Sequence, residues 1–290
     1  MSKEGMEIGV ACVQMEPRIG AVEENIANSV VMASEAADRG AELIVLPELC
    51  NSGYVFESEE EALSLAEDAY SGPAVRAWTA LAKARQVWLV AGLNERARRR
   101  IYNSAVVVGP EGVIGVFRKI HLWDTENRFF AQGDLGFPVF DLPFGRLGVF
   151  ICYDGWFPES YRMCALKGAD ILCVPTNWVP MPDQPPERDV MANTLVMGGA
   201  HANAVFIAAS DRIGIERGQP FLGRSLIVGP AGWPLAGPAS ADREEILLAR
   251  VNLAEAARRR QLNARNHLFG DRRTDVYGEM IAQEEATASR

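Results

Sequence analysis

The chain has 290 residues, 48% of them hydrophobic and 23% charged, the balance of an ordinary folded protein with a sizeable core. A net charge of -9 argues against nucleic acid or an anionic membrane as the main partner, and leaves a small neutral substrate open. The opening MSKEGMEIGV has no apolar leader and no stretch nears 18 uninterrupted apolar residues, so a cytoplasmic protein without membrane spans is expected.

In chain order, Glu7 to Gln14 reads as a first strand. Glu23 to Arg39 reads as a helix with Ile26, Val30, Ala33 and Ala37 on one face and Gly40 placed to end it. Leu43 to Leu46 is a buried strand that runs into Pro47-Glu48. Pro73 opens another helix, and Val87 to Ala91 makes the next strand. Tyr102 to Val108 and Val113 to Arg118 flank a hairpin turn at Gly109-Pro110-Glu111-Gly112, and the arginines at 96, 98, 99 and 100 read as a solvated loop before it. Leu147 to Ile151 is an apolar run that stops at Cys152, followed by turn residues and by a helix from Pro158 to Lys167.

The same vocabulary then returns. RGAELIVLP from Arg39 is echoed by KGADILCVP from Lys167, QVWLVA from Gln86 by AVFIAA from Ala204, and VGPEG from Val108 by VGPAG from Val228. Gly168 lies 128 residues after Gly40, Val205 lies 118 after Val87, and Val228 lies 120 after Val108. Three echoes in one order at similar spacing imply two related halves, each an α/β unit with a mixed sheet.

Cys12, Cys50, Cys152, Cys164 and Cys173 include no CxxC pair, and His121, His201 and His267 have no metal-ligand spacing. Neither GxGxxG nor a P-loop is present, so no metal and no cofactor is expected. The candidate chemistry lies at strand ends, where α/β sheets gather ligands: Glu48, Cys152 and Asn177 each follow an apolar strand. A cysteine at a strand-to-helix corner is either a buried core residue or a rigidly held nucleophile beside backbone N–H groups. As a nucleophile it needs a base or a cation. His121, two residues after Lys119, offers a Cys-His pair, though no Asn or Asp is clearly placed to orient its ring. Glu48 offers a carboxylate base, and Lys119 is either a cation for the site or a lysine snorkelling at a strand end.

Pro47-Glu48 with Ser52-Gly53-Tyr54, Arg118-Lys119-Ile120-His121-Leu122, and Ile151-Cys152-Tyr153-Asp154 with Phe157-Pro158-Glu159 resemble the three signature blocks of the nitrilase superfamily, the carbon–nitrogen hydrolases with a Glu-Lys-Cys triad. Smaller marks agree: Tyr102-Asn103-Ser104-Ala105, Gly133-Asp134 and Pro175-Thr176-Asn177-Trp178. The resemblance covers residues 6–277. It implies a four-layer α-β-β-α sandwich in a single domain over residues 1–290, with a C-terminal arm at about 263–290 and a homodimer or higher homo-oligomer. It also implies that Glu48 is the general base, that Cys152 forms a thioester, and that Lys119 with the Tyr153 N–H stabilises the oxyanion. Glu126 matches the second glutamate that positions the substrate amide, and His121 becomes a structural neighbour. Glu48 and Lys119 are then expected to matter for chemistry more than for folding.

The block after Cys152 is most like the branch that cleaves small aliphatic amides to acid and ammonia. Alternatives on the same triad are N-carbamoyl amino acid hydrolysis and nitrile hydrolysis. A non-catalytic binding protein on this fold is the alternative of a different class. Tyr54, Tyr153, Asn177 and Trp178 are candidate substrate contacts, and Trp123 and Trp156 are further aromatic walls. The weakly charged segment Gly198 to Ala204 on the helix expected over 188–203 suggests a site for a neutral molecule, with His201 and Arg188 the polar groups that bear on this.

Overall fold

Every residue of the first strand, β1 (Ile8–Gln14), is buried. Its side chains alternate between two cores: Val10 and Cys12 face a second sheet, whereas Ala11 and Val13 face helices. That double burial sets the architecture. The computed structural model describes residues 6–182 and 190–278, so Arg188 lies outside the described residues.

After β1 come α1 (Val22–Asp38), β2 (Leu43–Val45), α2 (Glu59–Ser64), α3 (Pro73–Arg85), β3 (Trp88–Ala97), β4 (Arg100–Gly109) and β5 (Gly112–Arg118). Next are α4 (Glu126–Phe129), β6 (Val139–Leu142), β7 (Gly145–Val149), α5 (Pro158–Leu166), β8 (Ile171–Pro175), α6 (Met191–Asn203) and β9 (Phe206–Ser210). A two-strand ribbon follows, β10 (Ile215–Glu216) with β11 (Gln219–Pro220), then β12 (Leu226–Val228), β13 (Pro234–Ala236), β14 (Glu245–Val251) and α7 (Ala254–Arg259). None of the described helices is long and apolar enough to cross a membrane.

One sheet has the order β14-β1-β2-β3-β4-β5, and the other has the order β6-β7-β8-β9-β12-β13. Taken in those orders the pair senses match strand for strand: antiparallel, parallel, parallel, antiparallel, antiparallel. The two related halves read from the echoes are therefore present, with α1 and α3 as the crossovers of one and α5 and α6 as those of the other. The sheets face each other through β1, β2 and β3 against β8 and β9, with helices outside, which is the expected four-layer sandwich. One difference breaks the symmetry. β6 directly precedes β7, whereas its counterpart β14 arrives from the far end of the chain to pair Val251 with Ile8.

Local differences from the sequence reading have physical reasons. The buried line of α1 runs through Asn25, Ser29, Met32, Ala33 and Ala36, beside the expected Ile26, Val30 and Ala37, which are only partly buried. Two polar side chains can sit there because both are bonded: Asn25 donates to the carbonyls of Arg18 and Asn51, and Ser29 accepts from the Trp78 indole at 2.9 Å. The arginines at 96–100 are not a loop before the hairpin. β3 continues to Ala97, which pairs with Arg100, so Arg98-Arg99 is a hairpin tip with Arg98 at φ 58°. The extension is stable because Asn94 and Glu95, buried in it, find the Ala62 carbonyl and the Arg118 guanidinium. Beyond α7, Phe269 lies near the guanidinium groups of Arg162 (5.2 Å) and Arg260 (4.9 Å), which ties this stretch to α5 of its own chain.

Candidate active site

The parallel strands of both sheets deliver their C-terminal ends to one side. β2 ends at Val45 and leads through Leu46-Pro47 to Glu48. β5, reversed twice relative to β3, leads directly to Lys119. β7 leads to Cys152, β8 to Thr176-Asn177-Trp178, and β9 to Asp211. This convergence beyond strand ends brings together residues far apart in the chain: the Asn177 amide donates to the main-chain carbonyl of Glu48, 129 positions earlier, at 3.0 Å.

Close backbone contacts hold the pieces. A Cβ on Gly92 would lie 2.3 Å from the Pro47 carbonyl oxygen and 2.5 Å from the Glu48 Cα, so β3 can pass Glu48 only as glycine there. Gly92→Ala should therefore displace Glu48. Overpacking of this kind costs roughly 1–3 kcal/mol, and a shift of about 1 Å in a catalytic group is worth on the order of a hundredfold in rate. Melting curves and ammonia release would show it, and an unchanged rate would mean that the loop absorbs the methyl. Gly133 plays a similar part beneath Lys119: its N–H donates to the Lys119 carbonyl at 2.8 Å, and a Cβ would sit 2.0 Å from the Arg118 oxygen.

Cys152 has φ 44°, in the left-handed region that a β-carbon disfavours. It follows a buried strand and opens one tight 3-10 turn, Cys152–Trp156, before α5 starts with Pro158 at its first turn. The expected corner is thus a strand, a single turn and a helix. Asp154 clamps it, accepting the Ile151 N–H (3.1 Å), the His121 N–H (2.9 Å) and a contact from His121 Nδ1 (2.7 Å). So His121 does have an orienting carboxylate, one the sequence did not reveal. Its ring stacks on Phe157 at 3.7 Å and braces the turn, whereas the charges acting on Cys152 are those of Glu48 and Lys119.

The polar centre is a buried array. Lys119 Nζ lies 2.7 Å from Glu48 Oε1 and 2.7 Å from Glu126 Oε1, and the Lys119 and Glu48 side chains are 0% exposed. Burial works against the lysine charge, but Glu126 and Glu48 outweigh it and hold the ammonium above the ordinary lysine range. Burial raises Glu48 to about 7, against the pull of Lys119. Its Oε1 accepts from Asn103 at 2.6 Å, and its buried Oε2 has no protein partner. Burial and the Glu48 charge push the Cys152 thiol well up, while Lys119, the Thr176 hydroxyl and the Asn177 N–H pull the other way. Glu48 therefore titrates near neutrality beside a thiol held protonated, the pairing a general base requires.

Glu126 opens α4, with Oε1 accepting from Tyr54 Oη (2.7 Å) and Oε2 from the Trp123 N–H (3.0 Å). Burial and Glu126 raise Tyr54 far above the ordinary tyrosine value, so its hydroxyl stays a donor. Cys152 opens onto a pocket walled by Trp123, Tyr153, Trp156, Asn177, Trp178 and Met181, with no charged side chain among its described lining residues. Asp211 fixes one wall by accepting the Trp178 N–H at 2.8 Å.

One sequence expectation fails here. The segment Gly198 to Ala204 does not line the pocket: it lies on α6 in the outer layer, where the missing Cβ of Gly199 makes room for the Tyr161 ring, 2.4 Å from where it would stand. His201 is exposed and faces the Ala231 carbonyl. Conversely, Asn103 and Asp154 were not singled out as site residues. The available signal was a polar residue interrupting the apolar run of β4, and an acid two positions after the thiol.

Comparison with known proteins agrees with this geometry. The family model described as carbon–nitrogen hydrolase matches residues 9–261. A Pyrococcus abyssi protein named nitrilase is 42% identical over 270 residues, covering 93% of this chain and 99% of its own. N-carbamoylputrescine amidase from Solanum lycopersicum is 33% identical over 276 residues, 88% of this chain and 89% of that one. The crystal structure of a carbon–nitrogen hydrolase from Helicobacter pylori G27 superposes with a TM-score of 0.82 at 31% identity, covering 94% and 98% of the two chains. With the Glu-Lys-Cys blocks assembled at one set of strand ends and the match running through both sheets, the chain belongs to the carbon–nitrogen hydrolase family of the nitrilase superfamily.

Proposed function

We propose that the protein is an amidase that cleaves small uncharged amides to carboxylic acid and ammonia. The observation that carries this reading is the buried Glu48–Lys119–Glu126 array beside Cys152, opening onto aromatic walls. In this reading Glu48 takes the thiol proton as Sγ bonds to the amide carbon. Lys119 and the Tyr153 N–H receive the developing oxyanion, a role for which one donor is typically worth about 3 kcal/mol. Glu48 returns the proton to nitrogen as the C–N bond breaks and ammonia leaves. Water then attacks the thioester, giving its proton to Glu48, and the S–C bond breaks to release the acid and restore the thiol. Glu126 and Tyr54 hold the substrate side of the array, and Asn177 and Trp178 complete the pocket.

An anionic substrate would leave its carboxylate among indoles without a cation from the described lining, and each 1.4 kcal/mol of that penalty is about tenfold. Propionamide should therefore exceed N-carbamoyl-β-alanine in kcat/KM by at least about tenfold, with two- to four-carbon acyl groups tolerated because one methylene changes binding by only ~1–3 kcal/mol. Ammonia release over a panel that also holds propionitrile and N-carbamoylputrescine, the latter two suggested by the names of the relatives, measures the order. A carbamoyl-acid preference that collapses in Arg188→Ala would overturn the assignment.

A further inference from the structure

Buried ion pairs need a reason, because desolvation takes back most of what their attraction gives. Arg212 and Glu216 form one outside the site: Arg212 is 1% exposed, Glu216 is 5% exposed, and Nη1 lies 3.0 Å from Oε1. Arg212 is anchored on the first half, its Nη2 donating to the Pro17 carbonyl at 2.6 Å. The other oxygen of Glu216 accepts two consecutive main-chain N–H groups, Tyr54 at 2.8 Å and Val55 at 2.7 Å. The Arg212 guanidinium also lies 4.1 Å over the ring of Phe221, which meets the Tyr54 ring edge-on at 5.8 Å. Gly53 completes the fit: at φ 86° it lets the loop turn, and a Cβ would stand 2.9 Å from Glu216 Oε1.

Tyr54 is thus held at its backbone by a carboxylate from the second half and at its ring by Phe221, while its hydroxyl reaches Glu126 Oε1, which also bonds Lys119. We infer that Arg212 and Glu216 are positioning residues for the substrate side of the site, acting through Tyr54 on Glu126. Neither touches the thiol or its base. They fix the loop that follows Glu48 at its distal end, so that the tyrosine hydroxyl meets the carboxylate at one distance. The inference rests on Glu126 and Tyr54 serving substrate in the reading above.

The test is a double-mutant cycle between Glu216→Gln and Tyr54→Phe, assayed with whichever panel substrate the wild type turns over. Each single change should lower kcat/KM by about tenfold or more, the usual effect of losing a hydrogen bond to a charged group, and the double variant should be no worse than the poorer single one. Methyl methanethiosulfonate, a thiol reagent with no amide to position, should label Cys152 within about twofold of the wild-type rate in all three variants, since Cys152 and Glu48 are untouched. Arg212→Lys, which keeps a cation for Glu216, should restore more turnover than Arg212→Met. Should Glu216→Gln not fold, Phe221→Leu replaces it in the cycle, as its ring is the other link between Arg212 and Tyr54. Additive losses, or labelling that falls in parallel with turnover, would overturn the positioning role. A wild type silent toward amides yet active on nitriles or ureido compounds would overturn the substrate assignment alone, because the cycle is then run on that substrate.

Discussion

Cys152→Ala should fold like the wild type and release no ammonia from any amide, a loss on the order of 10⁵–10⁶-fold if the other groups act only through the thiol. The alanine fills less of a site that already tolerates φ 44°, so the melting temperature should move little. The thiol's own reactivity gives a finer reading. Because burial and the nearby Glu48 charge keep the thiol protonated, labelling by methyl methanethiosulfonate should follow the ionisation of Glu48 and not a free thiol pKa near 8.5. The rate should be low at pH 5, climb through about 7, and level above it; Glu48→Gln should be slow throughout and lose that limb. Other cysteines are no substitute, since Cys12 and Cys173 lie within buried strands with thiols raised by burial. Turnover retained by Cys152→Ala would end the thioester mechanism.

Lys119→Met should be the more informative variant, because here the structure revises the sequence reading. The resemblance implies that Lys119 matters for chemistry more than for folding. In the structure it neutralises two buried carboxylates that share its ammonium, Glu48 and Glu126 at 2.7 Å each. Breaking such a group typically costs about 3–5 kcal/mol, and two carboxylates so close cannot both stay ionised. The folded-state pKa of Glu48 then rises further above the unfolded value of 4.5, beyond the value of about 7 that it already has. A raised folded pKa gives stability that is fully present below about pH 4.5 and lost as pH climbs through the folded value. The gap in melting temperature between wild type and Lys119→Met should therefore be small near pH 5 and wide at pH 8. Turnover should fall by at least on the order of 10²–10³, the usual effect of removing an oxyanion donor. Equal melting at pH 8 would show that the lysine is not the partner of these acids.

Glu48, Lys119 and Cys152 were legible because each stands in a short block that resembles a family signature, whereas position near a strand end alone left each of them an ordinary structural reading. The halves were legible as echoes of strand and turn vocabulary. Asn103 was harder: YNSAVVVG shows polar residues entering a buried strand, but whether Asn103 or Ser104 faces the carboxylates depends on strand parity. The structure turns Asn103 to Glu48 and Ser104 to Glu95. Arg212 and Glu216 were illegible, since their partners Pro17 and Tyr54 lie in the other half and isolated charges after a strand read as solvent-facing. The pocket's reliance on α6 was misread because small residues signal close packing wherever it occurs, and here it occurs against Tyr161 on the outer layer.

The late arrival of β14 has a consequence for synthesis on the ribosome. The outer edge of β1 pairs with residues some 243 positions later, Ile8 with Val251. At translation rates of roughly 5–20 residues per second, the nascent chain carries that edge uncovered for about 12–50 s after β1 emerges. The second sheet has no such wait, because β6 is made immediately before the strand it covers. The half translated second can thus close its sheet edge within its own stretch of chain, while the half translated first holds an unpaired row of N–H and C=O groups until nearly the last helix is made.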